Sequence, residues 1–363
     1  CCLPKTAWPP TLMGYSEGDA LLKAFARILE REAPRPVLVA RMLADAFLVL
    51  FPYKGKGELV TYCEAYSRAL NGFIVSREQN YQLELRSGIC CVEDSDASDI
   101  NSLLDRANMA LKTIKVKGAA QWKFYDHTMR DKLLREKDLE IRMEKALADG
   151  EFLVYIQPKY WVGTRALAGG EALVRWKSPD QGFLSPGEFI PLFEKNRFIV
   201  KLDQFMFTSV CGLLRQWLDA GIEPRPLSVN VSRMQFHTPD FVERYIRIKS
   251  QYAIPDGLLE LEFTESIFFD NVALLSSAVH ELRRAGIKCS IDDFGAGYSS
   301  LNVLKALPVS VLKLDGMFFR TAKDDEQAKI VIRNIMRMAG ELKMATVAEG
   351  VETHEQVAFL ETT

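Results

Sequence analysis

The sequence predicts two α/β domains: a small one over residues 1–125, a connecting helix over 126–150, and a TIM-type (β/α) barrel over 151–363 that lacks its last strand. Three observations carry this. A chain of 363 residues is too long for one ordinary core. Helical and strand-like runs interleave from end to end. After Gly150, seven short apolar runs alternate with amphipathic stretches, and five of the seven carry a carboxylate within or at the end of the run.

The elements follow in order. Residues 16–30 read as a helix, with Ser16 and Asp19 set as a capping box and Leu21, Leu22, Phe25, Ile28 and Leu29 on one apolar face. Strand-like runs at 37–40 and 46–51 flank a polar break at 41–45. Further strands are expected at 81–91 and 122–125, with a helix near 99–113. Over 126–150 charge dominates, Leu133, Leu134, Ile141 and Leu147 recur, and Gly150 stands where a helix would end. The later strands are placed at 152–157, 168–176, 227–231, 258–264, 288–292, 309–315 and 344–349, with helices such as 272–285 and 325–342 between them. Near-continuous apolar strands joined through helices indicate a parallel sheet, either barrel or open.

Composition narrows the function. Hydrophobic residues at 48% and charged residues at 26% fit a globular protein, and a net charge of −2 supplies no global field for a nucleic-acid polymer or an anionic lipid surface. Seven cysteines lie scattered without CxxC or Cys/His metal spacing, so we expect reduced thiols in a cytoplasmic protein. No run is apolar for the length of a membrane span. The unusual start over 1–13 and the end at Thr363 read as those of a fragment, whose parent could carry an anchor or sensor.

The acids decide between barrel and open sheet. Glu171 lies in the second run and Asn230 near the end of the third; Glu262 with Glu265, Asp292 with Asp293, Lys313 with Asp315, and Glu349 with Glu352 end the next four. A barrel brings all strand ends to one mouth, where that fold places its chemistry. Any one of these acids taken alone is more often simply solvated. Together they would repel one another unless protonated or neutralised by a cation. An oxygen-rich set without Cys or His suits Mg²⁺ or Mn²⁺, and two such ions can clamp a phosphodiester. Lys313 fits a role beside the attacking water and equally one as an ion-pair partner of Asp315.

Seven motifs then identify a family. GGEALVRW with Glu171, YIQP at 155–158, SVNVS at 228–232, LEFTES at 261–266, DDFGAGYSSL at 292–301, LKLD at 312–315 and AEGVET at 348–353 resemble, in order and spacing, the EAL phosphodiesterases of cyclic di-GMP. The resemblance implies a first metal on Glu171, Asn230, Glu262 and Asp292, with Asp292 bridging to a second held with Asp293 and Glu349. Lys313 and Glu349 would act on the water, and Asp315 would stand with the metal set. Glu265 would hold the loop DFGAGYSS, which in this family shapes the metal site and a homodimer contact. Gln157, Leu173, Arg175 and Glu352 would contact the dinucleotide, Arg175 through a phosphate. The family's eighth strand and QGxxF segment have no match before Thr363, so we expect an omitted segment or a partner to cover the gap.

Residues 14–125 resemble the GGDEF cyclases through GYSEGDALLKAF and RANMALKTIKVKG. RMLADAF at 41–47 takes the place of RxGGDEF, with Leu43 and Ala44 for both glycines and Ala46 for the second acid; only Asp45 and Phe47 remain. Glycines there let backbone approach a nucleotide. A degenerate, inactive cyclase module is therefore expected, with a regulatory or dimerising role. The resemblance implies hydrolysis of cyclic di-GMP to pGpG; the competing readings are a non-enzymatic cyclic di-GMP receptor and a GTP-sensing regulator.

Overall fold

In a computed structural model of the chain, residues 2–6, 15–31, 36–75, 84–92, 99–114, 121–265, 267, 272–295, 308–321 and 325–363 are described. The chain divides into two compact units, Cys1–Lys137 and Asp138–Thr363.

The first unit carries β1 (Cys2–Thr6), α1 (Tyr15–Arg31), β2 (Leu38–Leu43), β3 (Ala46–Leu50), α2 (Lys56–Val75), β4 (Leu85–Ile89), α3 (Ile100–Lys112) and β5 (Trp122–Phe124). The sheet order is β2-β3-β1-β4-β5, with β4 and β5 parallel and the other pairs antiparallel. The apolar face read on α1 is the buried one: Leu21, Phe25 and Leu29 pack with Phe47 and Val49 of β3 and with Tyr66, Leu70 and Ile74 of α2. Phe25 and Phe47 meet edge to face at 5.1 Å between ring centroids. Two elements were not read from sequence. Strand β1 contains Pro4, which offers no amide to a ladder. Helix α2 carries Gly57 and Gly72, two weak helix formers, and owes its place to the buried stripe Leu59, Cys63, Tyr66, Leu70 and Ile74. Residues 81–83 of the expected strand at 81–91 lie outside the described residues.

Helix α4 (His127–Ala148) runs across the division between the units and buries Leu139 and Ala146, while Leu133, Leu134 and Ile141 are exposed. The second unit then follows as β6 (Phe152–Tyr160), β7 (Leu167–Ser178), β8 (Gly182–Leu184), α5 (Pro186–Lys195), α6 (Ile199–Asp219), β9 (Leu227–Asn230), a 3₁₀ turn (Arg233–His237), α7 (Phe241–Gln251), β10 (Leu259–Thr264), α8 (Val272–Arg284), β11 (Lys288–Phe294), β12 (Val311–Leu314), α9 (Gly316–Thr321), α10 (Glu326–Glu341), β13 (Ala345–Ala348) and α11 (His354–Glu361). The sheet runs β13-β12-β11-β10-β9-β7-β6, with β8 added on β7.

All pairs from β7 to β13 along this path are parallel, as expected of strand–helix repeats. The β6–β7 pair is antiparallel. The short 161–166 link explains the difference, since a parallel pair needs a longer crossover. The result is a curled, barrel-like sheet of the α/β type. Its outward side chains, among them Leu259, Leu261, Phe263, Cys289, Ile291, Leu312 and Leu314, are buried in one large core together with residues of α6, α7 and α8. A second core joins Trp176 and Phe152 to Phe189, Phe193 and Phe198. The Trp176 indole N–H in that core donates to Glu151 Oε2 at 2.7 Å.

Candidate active site

Strand alternation separates the two faces of this sheet. Side chains at every second position pack outward under the helices, and the intervening ones face the concave side. On β6 and β7 the register sets Gln157 opposite Glu171, Tyr155 opposite Leu173 and Leu153 opposite Arg175. Glu171 then aligns with Ser228 of β9, and Asn230 with Glu262 of β10. Ser290 lies beside Glu262 on β11, and Lys313 comes from β12. This ladder of polar groups, unusual in a sheet interior, is satisfied by two lysines.

The Lys313 side chain is 1% exposed, and its Nζ is the centre of the cluster. It lies 3.1 Å from Glu171 Oε2, 2.5 Å from Glu262 Oε2, 2.9 Å from Asp292 Oδ1 and 2.8 Å from Glu349 Oε1. Its ion pairs among the described residues therefore run to these four carboxylates rather than to Asp315. Asn230 Nδ2 donates to the other oxygen of Glu171 at 2.7 Å. Lys159 Nζ donates to Glu262 Oε1 and to Ser228 Oγ, both at 2.8 Å. Glu262 is thus held at both oxygens by ammonium groups. Burial opposes its ionisation, but Lys313 and Lys159 outweigh that and hold its carboxyl below the usual range. Burial likewise opposes the charge on Lys313, and the four carboxylates more than compensate, raising its pKa. For Glu349 burial prevails over Lys313; with Asp292 and Glu171 adding repulsion, its pKa rises to about 7.

Asp292 and Asp293 are successive residues, and regular alternation would send them to opposite faces. A register shift in the β11–β12 pairing lies between Ile291 and Phe294, and Asp293 takes a left-handed φ of 55°. The Asp293 amide donates to Asp292 Oδ1 at 2.9 Å. Asp292, Asp293 and Glu349 consequently offer carboxylate oxygens all within 4.8 Å of one another. Burial, then Asp292, Asp315 and Glu171, raise the pKa of Asp293. Glu349 is set by the turn after β13: its amide donates to Leu314 O at 3.0 Å, and Gly350 at φ 61° lies against Gly316, leaving no room for a Cβ.

The structure therefore brings together Glu171, Asn230, Glu262, Asp292, Asp293, Lys313 and Glu349. Asp315 ends the same strand as Lys313 and accepts the Met317 amide at 2.6 Å. Glu265 is buried just past β10 and accepts the Gly295 amide at 3.3 Å; residues 296–300 of the loop it was expected to hold lie outside the described residues. Gln157 lines a cavity of about 830 Å³ with Lys159, Glu171, Asn230, Asp292, Lys313 and Glu349. Leu173 and Arg175 line a neighbouring cavity of about 250 Å³ with Asp203 and Ser232, and Asn230 borders both. Glu352 is not drawn in: it is exposed in the turn that caps α11, where its amide donates to Gln356 Oε1. Lys159 is the member that sequence reading missed. Its signal was the alternation of β6, which sets it on the concave face two positions from Gln157.

Residues 141–363 match the family model of the EAL domain, and residues 11–121 match that of the diguanylate cyclase, GGDEF domain. Among curated proteins, the bifunctional diguanylate cyclase/cyclic di-GMP phosphodiesterase MucR of Pseudomonas aeruginosa is 29% identical over 348 residues, 96% of this chain and 50% of its own length. The cyclic di-GMP phosphodiesterase PdeR of Escherichia coli is 29% identical over 359 residues, 96% of this chain and 52% of PdeR. The chain spans about half the length of the curated relatives it matches. Among solved structures, the PaMucR phosphodiesterase in complex with c-di-GMP has a TM-score of 0.58 and 34% identity, covering 62% of this chain and 91% of that one. A Vibrio cholerae LapD S helix-GGDEF-EAL structure, 20% identical with a TM-score of 0.59, covers 99% of this chain and 86% of its own and shares the fold. With a GGDEF match before it and the EAL match spanning more than half of its length, the chain belongs to the EAL domain family.

Proposed function

We propose that the second unit hydrolyses one phosphodiester bond of cyclic di-GMP to give linear pGpG. The observation that carries this is the meeting of Glu171, Glu262, Asp292 and Glu349, from four separate strands and their ends, at a single point. The same substrate is named for the relatives MucR and PdeR.

The donor set fits two hard divalent ions, Mg²⁺ or Mn²⁺. It consists of oxygens, three of its carboxylates lie within 4.8 Å, and it already surrounds a positive charge. Glu171, Asn230, Glu262 and Asp292 would hold one ion, and Asp292, Asp293 and Glu349 the other, with Asp315 alongside. When bound, the ions supply an acidified water and neutralise charge at the phosphoryl oxygens. Lys313 Nζ orients the attacking water, and Glu349 receives its proton on a carboxylate oxygen. As the new P–O bond forms in line, the opposite P–O bond breaks and the ribose oxygen takes up a proton. Gln157, Leu173 and Arg175 seat the dinucleotide, Arg175 through a phosphate. Glu265 anchors the start of the loop after β11.

The first unit serves regulation or homodimerisation and lacks cyclase chemistry. Supporting this, Ala44 occupies a left-handed φ of 50° in the β2–β3 turn, a conformation glycine adopts freely, and the Arg41 guanidinium bonds its carbonyl. The buried free cysteines Cys63, Cys90, Cys91, Cys211 and Cys289 accord with a cytoplasmic setting, and no described helix is long and apolar enough to cross a membrane.

The test is incubation with cyclic di-GMP and Mg²⁺ or Mn²⁺, followed by chromatography of the nucleotides. Linear pGpG is expected, with Glu171→Ala and Asp292→Asn inactive and Asp45→Ala unaffected. Tight binding of intact substrate without turnover would replace the enzyme by a receptor.

A further inference from the structure

The ammonium of Lys313 is ringed by Glu171, Glu262, Asp292 and Glu349 at 2.5–3.1 Å, and three of those four residues belong to the ligand set assigned above to one divalent ion. We propose that Lys313 is an internal stand-in for that ion, so that loading is an exchange in which the incoming cation displaces the lysine from the carboxylate ring. The inference rests on the metal reading of the site and extends it to the metal-free chain.

Three observations support the exchange. First, occupancy is exclusive. A divalent ion of this class sits about 2.0–2.1 Å from its oxygens, and the same oxygens now contact Nζ, so both charges cannot share the ring. Second, the displaced side chain has somewhere to go. Lys313 borders the 830 Å³ cavity also lined by Gln157 and Glu349, so its head can swing within the concave face without unpacking a helix. Third, the ring does not depend on Lys313 alone for its shape. Lys159 grips Glu262 Oε1 from the other side and is itself bonded to Ser228 Oγ, while Asn230 grips Glu171. Lys159 is the positioning residue that keeps Glu262 in place while its second oxygen changes partner. The charges agree: the carboxylates Glu171, Glu262, Asp292, Asp293 and Glu349 outnumber the two lysines, so an added cation is accommodated while both remain charged.

The experiment uses the full chain stripped of metal, titrated calorimetrically with MnCl₂ and melted with and without it. Lys313→Met should bind Mn²⁺ about tenfold or more tighter than the parent, because no resident cation competes. Its metal-free melting temperature should fall, because four carboxylates are left facing one another, and Mn²⁺ should restore it. Lys159→Met removes an equal charge but also releases Glu262 Oε1, and should leave Mn²⁺ binding no tighter than in the parent. Equal tightening in both variants would show a general charge effect and overturn the exchange. Unchanged affinity in Lys313→Met would overturn it while leaving the metal reading intact, whereas a parent chain that binds no Mn²⁺ would remove that reading itself. A Lys313→Met chain that folds only with Mn²⁺ supports the exchange; one that folds under neither condition refutes it.

Discussion

Replacing Asp203 by Asn should stabilise the second unit, and only above mildly acidic pH. Asp203 is on α6, 6% exposed, and accepts the Ser232 amide at 2.9 Å and Gln235 Nε2 at 3.2 Å. Burial, with a smaller push from Glu194, raises its pKa from 3.8 to about 7 against the pull of those two bonds. The folded chain therefore keeps a proton that the unfolded chain has released between these values, and stability falls as pH rises through the window and levels off above it. At about 1.4 kcal/mol per pKa unit, the penalty at neutral pH is on the order of 4 kcal/mol. The neutral amide of Asn keeps an acceptor for the Ser232 amide and carries no such penalty. Thermal melts of parent and Asp203→Asn, in metal-free buffers from about pH 4 to about pH 8, should coincide at the acidic end and diverge steadily. For a unit of this size the separation should approach roughly 10 °C. Two curves that stay parallel across the range would refute the burial argument.

The remaining predictions concern packing and the site. A Cβ on Gly88 would lie 2.0 Å from Ala107 O and 2.5 Å from the Leu111 amide nitrogen, so Gly88→Ala should destabilise the first unit by roughly 1–3 kcal/mol, read by Trp122 fluorescence during unfolding in urea. Gly350→Ala meets Gly316 Cα at 2.9 Å and requires a left-handed φ. It should cost about 1–3 kcal/mol and, by shifting Glu349, reduce turnover far more than it reduces dinucleotide binding. Chelation with EDTA should abolish hydrolysis, and excess Mn²⁺ should restore it in full; activity that survives exhaustive chelation would count against the proposed cations.

Most of the site residues were legible in the sequence because they stand at or near a strand's end, which is marked locally by an apolar run stopping at a turn, while Glu171, inside its run, was marked by its motif. Glu171, Asn230, Glu262, Asp292 and Glu349 could therefore be listed, and the parallel sheet anticipated from its repeats. What could not be read was which contacts satisfy them. The four partners of Lys313 come from β7, β10, β11 and the turn after β13, and they meet only through sheet register. Lys159 in YIQPKY looks like any exposed lysine until the antiparallel β6–β7 pairing turns it inward. Glu352 shows the converse: a motif position read as a ligand contact, it sits in a helix-capping turn governed by Gln356. In the first unit, Phe25 and Leu29 declared their burial by spacing, whereas β1 was hidden by Pro4 and secured by partners some eighty residues away on β4.

The irregularity in β11 ties conformational cost to chemistry. Asp293 holds a backbone shape that L-residues other than Asn and Asp rarely accept, and it does so to turn two neighbouring carboxylates toward one rim. Glycine there would relieve the backbone and lessen repulsion among the acids while deleting a candidate ligand. Backbone ease and the number of carboxylates at the rim are thus traded against each other at Asp293.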